Sequence, residues 1–414
     1  MRVLVAMSGG VDSSVAAALL MDQGHEVVGV TMRLWGGASD TGCCSMSEVS
    51  DARRAAAQLG IDHHVFDFSA EFDRHVVDPY VADHAAGRTP NPCVECNRHL
   101  KFDVLFERAD VLGFDAIATG HHARIVAAPG DVVAASGDVD DTDSATPTGT
   151  VTPVDADTSG DAEVVDDLRG PDAARPLRIA RGADLPKDQS YVLHPIVDAP
   201  LDRVLLPIGD LTKARVREIA HDLGLRTAAK PDSQDVCFIT RAEGREAFLK
   251  ERMALHPGTI VDVDGMTVGH TSAVELVTIG QRKGLGLAGG ADRRFVLDVD
   301  VAARTVTVGP PERLLVDALV VESLRWAGAM SASALDGTEV WVQCSAHASP
   351  YAATLERVAE ASRSMCSGRG DSPHEVEVVL RWHEPQRRVA SGQSVVLYDR
   401  SGPDASVLAG GLAR

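Results

Sequence analysis

The chain has 414 residues, 44% hydrophobic and 24% charged, the balance of an ordinary globular protein of two or three domains. Its formal net charge of -20 disfavours a polyanionic partner, unless that charge is unevenly spread. It is uneven: residues 129–175 hold eleven Asp and Glu163 against only Arg169 and Arg175, so half the net charge sits in this one stretch. Local basic surfaces remain compatible with the rest.

No apolar run reaches the length of a membrane span, and MRVLVAMSGG lacks a signal-peptide layout, which predicts a cytoplasmic protein with no membrane partner. Seven cysteines in so long a chain do not make a secreted disulfide framework, so each is read individually.

In chain order, MRVLVAM reads as a buried strand, Ser13 to Gln23 as a helix ended by Gly24, and EVVGVTM as a second strand. Ser47 to Leu59 reads as a helix, HHVFDF as a strand, and Ala70 to Ala86 as a long helix containing Pro79. A Pro/Cys/Asn loop over 87–102 follows, then a helix DVLFERADVLG and a strand DAIATG. Strands alternating with helices predict a parallel, doubly wound α/β sheet. The segment 129–175 is rich in Asp, Thr, Ser, Gly and Pro without an aromatic residue, and predicts a disordered insertion. The helix LTKARVREIAHDLGL (211–225) closes this half. From about 256 the pattern changes to short alternating strands: TIVDVDG, RFVLDVD, RTVTVG, EVWVQCS, HEVEVVLRW and QSVVLYD. These predict a small central β-rich domain and a C-terminal antiparallel β-barrel. The stretch 362–374 reads as a loop in which Cys366 is an incidental thiol.

The first strand runs into Ser8-Gly9-Gly10-Val11-Asp12-Ser13-Ser14 and then into a helix. Glycines let backbone N–H groups approach an anion, and a helix N-terminus adds partial positive charge. Asp12 suits Mg²⁺ against a phosphate. The Gly-Lys-[Ser/Thr] element of a Walker loop is missing. The loop resembles the SGGxDS pyrophosphate loop of the ATP pyrophosphatase superfamily, whose members adenylate a carbonyl oxygen and release pyrophosphate.

The only two asparagines of the chain, Asn91 and Asn97, flank Cys93 and Cys96 in GRTPNPCVECNRHLKF. Only six lysines stand against 34 arginines, and Lys101, Lys187, Lys213, Lys230 and Lys283 lie in the segments singled out on other grounds. Such retained lysines mark places that a guanidinium does not fill. Cys93 and Cys96 form C-x-x-C, and Cys237 sits in AKPDSQDVCFIT. A zinc site would need a fourth ligand from Cys43, Cys44 or His99. A buried-thiol reading suits Cys344 in its strand, and reactive thiols fit the cysteines of the Pro/Asn loops best.

Over nearly its whole length the chain resembles the tRNA-specific 2-thiouridylase family, through MSGGVDSSVAAALL, GCCSMSEVSDARRAAAQLGI, GRTPNPCVECNRHLKF, ATGHHARI, KDQSYVL, LPIGDLTKARVREIA, KPDSQDVCFI, TIGQRKGLG and SGQSVVLYD. The resemblance implies ATP-dependent 2-thiolation of the wobble uridine, position 34, of tRNAs for Lys, Glu and Gln. The base is adenylated at O2, and sulfur comes from a persulfide on Cys237. Cys96 acts as nucleophile and forms a transient disulfide with Cys237. ATP contacts carry over to Ala6, Met7, Ser8, Gly9, Gly10, Val11, Asp12, Ser13, Met32 and Gly120. Target-base and tRNA contacts carry over to Asn91, Pro92, Cys93, His121, Lys187, Asp188, Gln189 and Gln393. A cysteine desulfurase or relay protein is the implied sulfur donor. The implied organisation is a catalytic domain over 1–240, a central β-rich domain over 241–312 and a tRNA-contacting barrel over 313–414.

Many members carry Asp where this chain has Cys93. An alternative for the same reaction is therefore a [4Fe–4S] cluster on Cys93, Cys96 and Cys237 with one iron open to sulfide. More distant alternatives are a small-molecule adenylating synthetase, which needs no cysteines, and a non-catalytic tRNA- or nucleotide-binding protein.

Overall fold

The computed structural model describes residues 1–35, 46–128, 175–230, 236–239, 244–287, 293–358 and 377–414. Met1–Val126 with Leu177–Arg414 form one compact unit and Ala127–Pro176 another. The first unit carries the sheets and the site. The expectations for 129–174 and 362–374, and for Cys43, Cys44 and Cys366, lie outside the described residues.

In chain order the first strands are β1 (Arg2–Ala6), β2 (Glu26–Arg33), β3 (His63–Asp67) and β4 (Ala116–Thr119). β5 (Ala123–Ala127) and β6 (Leu177–Arg181) pair with each other as a separate ribbon. β7 (Val204–Leu205) completes a five-stranded sheet in the order β3-β2-β1-β4-β7, every neighbouring pair parallel. The continuous apolar run of β1 follows from its central place, with Val3, Leu4 and Val5 fully buried. Helix α1 (Val11–Asp22) and helix α2 (Met46–Leu59) pack on this core. The chain steps outward from β1 to β3, then returns to the other side of β1 for β4. That reversal opens a crevice beyond the carboxyl ends of β1 and β4, where ligands of open parallel sheets bind.

Two helices differ from expectation. The run over 69–85 widens to a π-helix at Asp73–Val77 just before Pro79, which has no N–H for the His75 carbonyl. The supposed loop over 87–102 turns helical at Pro92, continuing as Pro92–Glu95, a π-helix Cys96–Val104, and Leu105–Val111. Asn91 accepts a hydrogen bond from the Cys93 N–H at 3.2 Å, and Pro92 occupies the first turn where a missing N–H costs nothing. Both cysteines of the C-x-x-C pair therefore sit on a helix.

The second half holds β8 (Gly258–Val261), β9 (Thr267–Thr271), β10 (Phe295–Asp300) and β11 (Thr305–Gly309), in the order β10-β11-β8-β9. Then β12 (Leu315–Trp326), β13 (Glu339–Gln343), β14 (Tyr351–Arg357), β15 (Val378–Arg387), β16 (Ser394–Tyr398) and β17 (Val407–Ala413) close a barrel in the order β12-β15-β14-β13-β16-β17. Val321, Val340, Val342, Leu355, Leu380 and Leu397 fill it and are fully buried. The expected α/β half and C-terminal antiparallel barrel are both present. No described helix is long and apolar enough to cross a membrane.

Candidate active site

Beyond the carboxyl end of β1 the chain turns through Ser8, Gly9 and Gly10 into α1. Gly9 holds φ +73°, and a Cβ there would overlap the Glu48 carbonyl of α2. Gly10 caps α1 with no side-chain oxygen on the first-turn amides. The serines brace the turn: Ser13 Oγ accepts from the Ser8 N–H at 3.2 Å, and Ser14 Oγ donates to the Gly10 carbonyl at 2.8 Å. Lys230 fastens the turn from outside, its ammonium reaching the Gly9 carbonyl at 3.0 Å, Asp51 at 2.9 Å and Glu48 at 3.2 Å.

The other wall comes from the end of β4. A Cβ on Gly120 would overlap the Asp12–Ser13 backbone, so this glycine lets the two walls touch. His122 Nε2 lies 3.2 Å from Asp12 Oδ1, and Lys213 Nζ lies 2.8 and 2.6 Å from Asp12 Oδ1 and Oδ2. Burial pushes the Asp12 carboxyl up, but the hydrogen bonds from His122 and Lys213 and the lysine charge outweigh it, and the net shift is downward. Asp12 is thus an anion at neutral pH. His121 points elsewhere: it is buried, bonded to Thr119 Oγ1 at 2.7 Å and stacked on Phe102, and burial pushes its ring well below the ordinary range. Met32 and Ala6, at the carboxyl ends of β2 and β1, are buried beside the crevice.

On the Pro92 helix, Cys93 is exposed and Cys96 buried. Cys96 belongs to the main hydrophobic cluster, and half-buried Cys237 packs against the same cluster. Phe238 anchors the short described segment around Cys237, its ring 5.6 Å from Phe72, 5.4 Å from Tyr80 and 5.0 Å from Phe248. Asn97 Nδ2 donates to the Val192 carbonyl at 2.9 Å. The Tyr191 hydroxyl donates to the Ser394 carbonyl at 2.8 Å. Burial raises its pKa, and the nearby side chains of Gln393 and Asn91 oppose the rise, so two residues expected to face RNA bear on one phenol.

Lys187, Asp188 and Gln189 follow β6. Gln189 is doubly tied to His122, through Oε1 to its N–H at 2.9 Å and through its own N–H to the His122 carbonyl at 2.9 Å. The Asp188 carboxylate accepts from Arg181 Nη1 at 2.8 Å, Gly182 N at 3.0 Å, Ser190 N at 3.0 Å and Ser190 Oγ at 2.9 Å. It therefore organises the loop from within. Arg181 continues to Gln343 at 2.6 Å and lies 4.2 Å over the Tyr398 ring, so the loop and the barrel share one buried cation.

Lys213, His122, Tyr191 and Arg181 were not assigned roles from sequence. Lys213 was visible only as one of six retained lysines, and His122 only as the neighbour of His121 in ATGHHARI. Cys344, expected as a buried thiol, lies just past β13 and is half-buried, with burial pushing its pKa up to about 12. Among the described residues no group of three or more His, Cys, Asp or Glu is placed to hold a metal ion. Cys93, Cys96 and Cys237 do not make up such a group.

The family model described as tRNA methyl transferase HUP domain matches residues 1–145 and 162–241, and the tRNA methyl transferase PRC-barrel domain matches 246–310. The chain is 40% identical to the tRNA-specific 2-thiouridylase MnmA of Roseiflexus castenholzii over 99% of its own length and 98% of that protein's. It belongs to the tRNA-specific 2-thiouridylase family. The MnmA proteins of Chloroflexus aggregans and Thermobifida fusca are each 38% identical over 96% of this chain and 95% and 93% of theirs. As a thiouridylase the chain is a sulfurtransferase that thiolates position 2 of uridine in tRNA.

Proposed function

We propose that this thiouridylase acts on the wobble uridine, position 34, of tRNAs for Lys, Glu and Gln, by adenylation and persulfide transfer. Uridine O2 attacks the α-phosphorus of ATP, and pyrophosphate leaves into the Ser8–Ser13 turn at the α1 N-terminus. Asp12 is the group of this chain that would hold Mg²⁺, an ion content with one carboxylate plus phosphate and water. The ion would offset charge on the leaving pyrophosphate. The terminal sulfur of a Cys237 persulfide then attacks C2, and AMP departs with O2. The Cys96 thiolate attacks the Cys237 sulfur, breaking the S–S bond, and 2-thiouridine leaves with the transferred sulfur. The Cys96–Cys237 disulfide so formed is reduced by an external thiol, and a cysteine desulfurase or relay protein reloads Cys237.

The observation that carries this reading is the convergence at the β1/β4 crevice of an uncapped glycine turn and an ionised Asp12, with Cys96 and Cys237 sharing one hydrophobic cluster. Family membership supports tRNA as the substrate, and the crevice supports a nucleotide. Turnover with tRNA should release pyrophosphate and AMP, and ³⁵S should enter the three named tRNAs in a deletion strain carrying this gene. ADP and orthophosphate as products would exclude adenylation. Full activity in Cys96→Ser and Cys237→Ser would exclude the thiol route.

A further inference from the structure

The barrel wall is interrupted on one side. β12 and β15 pair Val316 with Gln386 and then Ala318 with Arg381, so the single residue Asp317 faces the four residues 382–385. Pro385 has no N–H for the ladder, and strands separate at such a place. A cavity of about 300 Å³ opens there, with Trp382 in its wall and Arg387, Arg388 and Arg414 around it. Among the described residues no Asp or Glu side chain lines it.

Trp382 is 8% exposed, and its indole Nε1 is buried without a hydrogen-bond partner among the described residues. A buried N–H without an acceptor is unfavourable, so an acceptor delivered from outside would be held there. To reach such an acceptor the three guanidiniums would exchange their present partners, Arg388 giving up a 3.2 Å hydrogen bond to the Leu297 carbonyl as well. Arg387 rests over the Phe295 ring at 5.8 Å, and Arg388 meets half-exposed Asp298 at 3.5 Å. Arg414 meets Glu377 at 2.7 Å, with half of its side chain exposed. Exposed pairs of this kind give way to a phosphate at little cost. The cavity also adjoins the active-site edge of the barrel. Gly392 N–H donates to the Ala413 carbonyl, next to Arg414, and Thr89 N–H on the cysteine loop donates to the Ser391 carbonyl, both at 2.8 Å.

We propose that this cavity is a phosphodiester subsite, which receives a backbone phosphate of the bound tRNA between Arg387, Arg388 and Arg414 with the Trp382 N–H as donor. It rests on tRNA being the substrate and not on the sulfur chemistry, so binding alone tests it, and a failure of adenylation or persulfide transfer would leave the result intact.

The test is filter binding of an unmodified tRNA transcript to the full chain over a salt series. The variants are the double substitution Arg387→Gln with Arg388→Gln, and separately Trp382→Phe, which keeps an aromatic side chain and removes the donor. The double variant should bind about 10-fold more weakly at low salt, with the slope of log affinity against log salt shallower by roughly 0.7–0.9 for each phosphate no longer neutralised. Trp382→Phe should weaken binding by about 3-fold with the slope unchanged. Affinity within 2-fold of the parent in both variants would overturn the subsite. So would a loss in the double variant at unchanged slope, because that loss would come from a disturbed barrel.

Discussion

Lys213 and Asp12 stand 201 positions apart, yet the Lys213 ammonium reaches both carboxylate oxygens of Asp12, at 2.8 and 2.6 Å. The pair closes the crevice between the glycine turn and the helix Lys213–Asp222. Lys213 is 8% exposed, so its removal leaves Asp12 a partly buried anion with His122, among the described residues, still beside it. Lys213→Met should cost about 1–3 kcal/mol of stability near neutral pH. It should also lower pyrophosphate release by roughly 100-fold, the scale of one lost electrostatic donor. Asp12 titrates below its ordinary 3.8, so the stability it contributes is present above that value and is lost as pH falls through its lower folded value. Denaturation midpoints of the parent and Lys213→Met should therefore converge below about pH 4. A gap that stays constant into acid would show that the pair contributes nothing.

Asp188 was expected to touch tRNA, and its carboxylate spends all four of its hydrogen bonds inside the protein. Its side chain is 3% exposed and that of its partner Arg181 is 8% exposed. Breaking a buried pair by removing one member costs about 3–5 kcal/mol, because a charge is left uncompensated. Asp188→Ala should lower the melting temperature by several degrees, and tRNA affinity should fall only in step with folding. A variant that melts like the parent while losing tRNA would restore Asp188 to the RNA surface.

The parallel sheet and the glycine turn were legible because their signals are local: a buried apolar run, then Gly-Gly, then a helix. The Pro92 helix was missed because Pro, Asn and Cys read as loop formers, although Asn-Pro is also a cap followed by a first-turn proline. β17 was missed because VLAGGLA carries two glycines, which in the barrel make room for His194 and Glu322. The ties of Lys213 to Asp12 and Arg181 to Gln343 join residues far apart in sequence, and no local pattern announces them.

Gly410 is the closest of these approaches. A Cβ there would clash with the edge of the His194 ring, and His194 is itself 4% exposed with both ring nitrogens buried and unpartnered among the described residues. Burial holds His194 down to about 3, so it is neutral in the folded protein. Gly410→Ala should cost about 1–3 kcal/mol through overpacking, read as a lower melting temperature. The unfolded chain binds a proton at His194 near pH 6.5 and the folded chain does not, so stability should fall as pH drops from 6.5 toward 3. His194→Leu should flatten that fall by up to about 1.4 kcal/mol per pH unit. An unchanged acid limb would mean that His194 does not titrate on unfolding.

Lys230 braces the glycine turn. It ends the short helix Arg226–Ala229, seven residues before Cys237, and its ammonium holds the Gly9 carbonyl together with Asp51 and Glu48. Burial pushes the Lys230 pKa down, but hydrogen bonds and charge from Asp51 and Glu48 outweigh it, so the amine stays charged throughout the working range. A guanidinium is planar and wider, and it cannot converge on three oxygens from one point as an ammonium does. Lys230→Met should leave Glu48 and Asp51 to repel each other beside the glycine turn. ATP binding, followed by calorimetry, should weaken by about 10-fold, the worth of one charge-assisted hydrogen bond. Lys230→Arg should restore the charge without restoring the affinity. Alkylation of Cys96 and Cys237 should proceed in Lys230→Met at the parent's rate, since Cys96 lies in the hydrophobic cluster and Cys237 packs against it. ATP affinity equal to the parent's in Lys230→Met would show that the glycine turn holds its shape unaided.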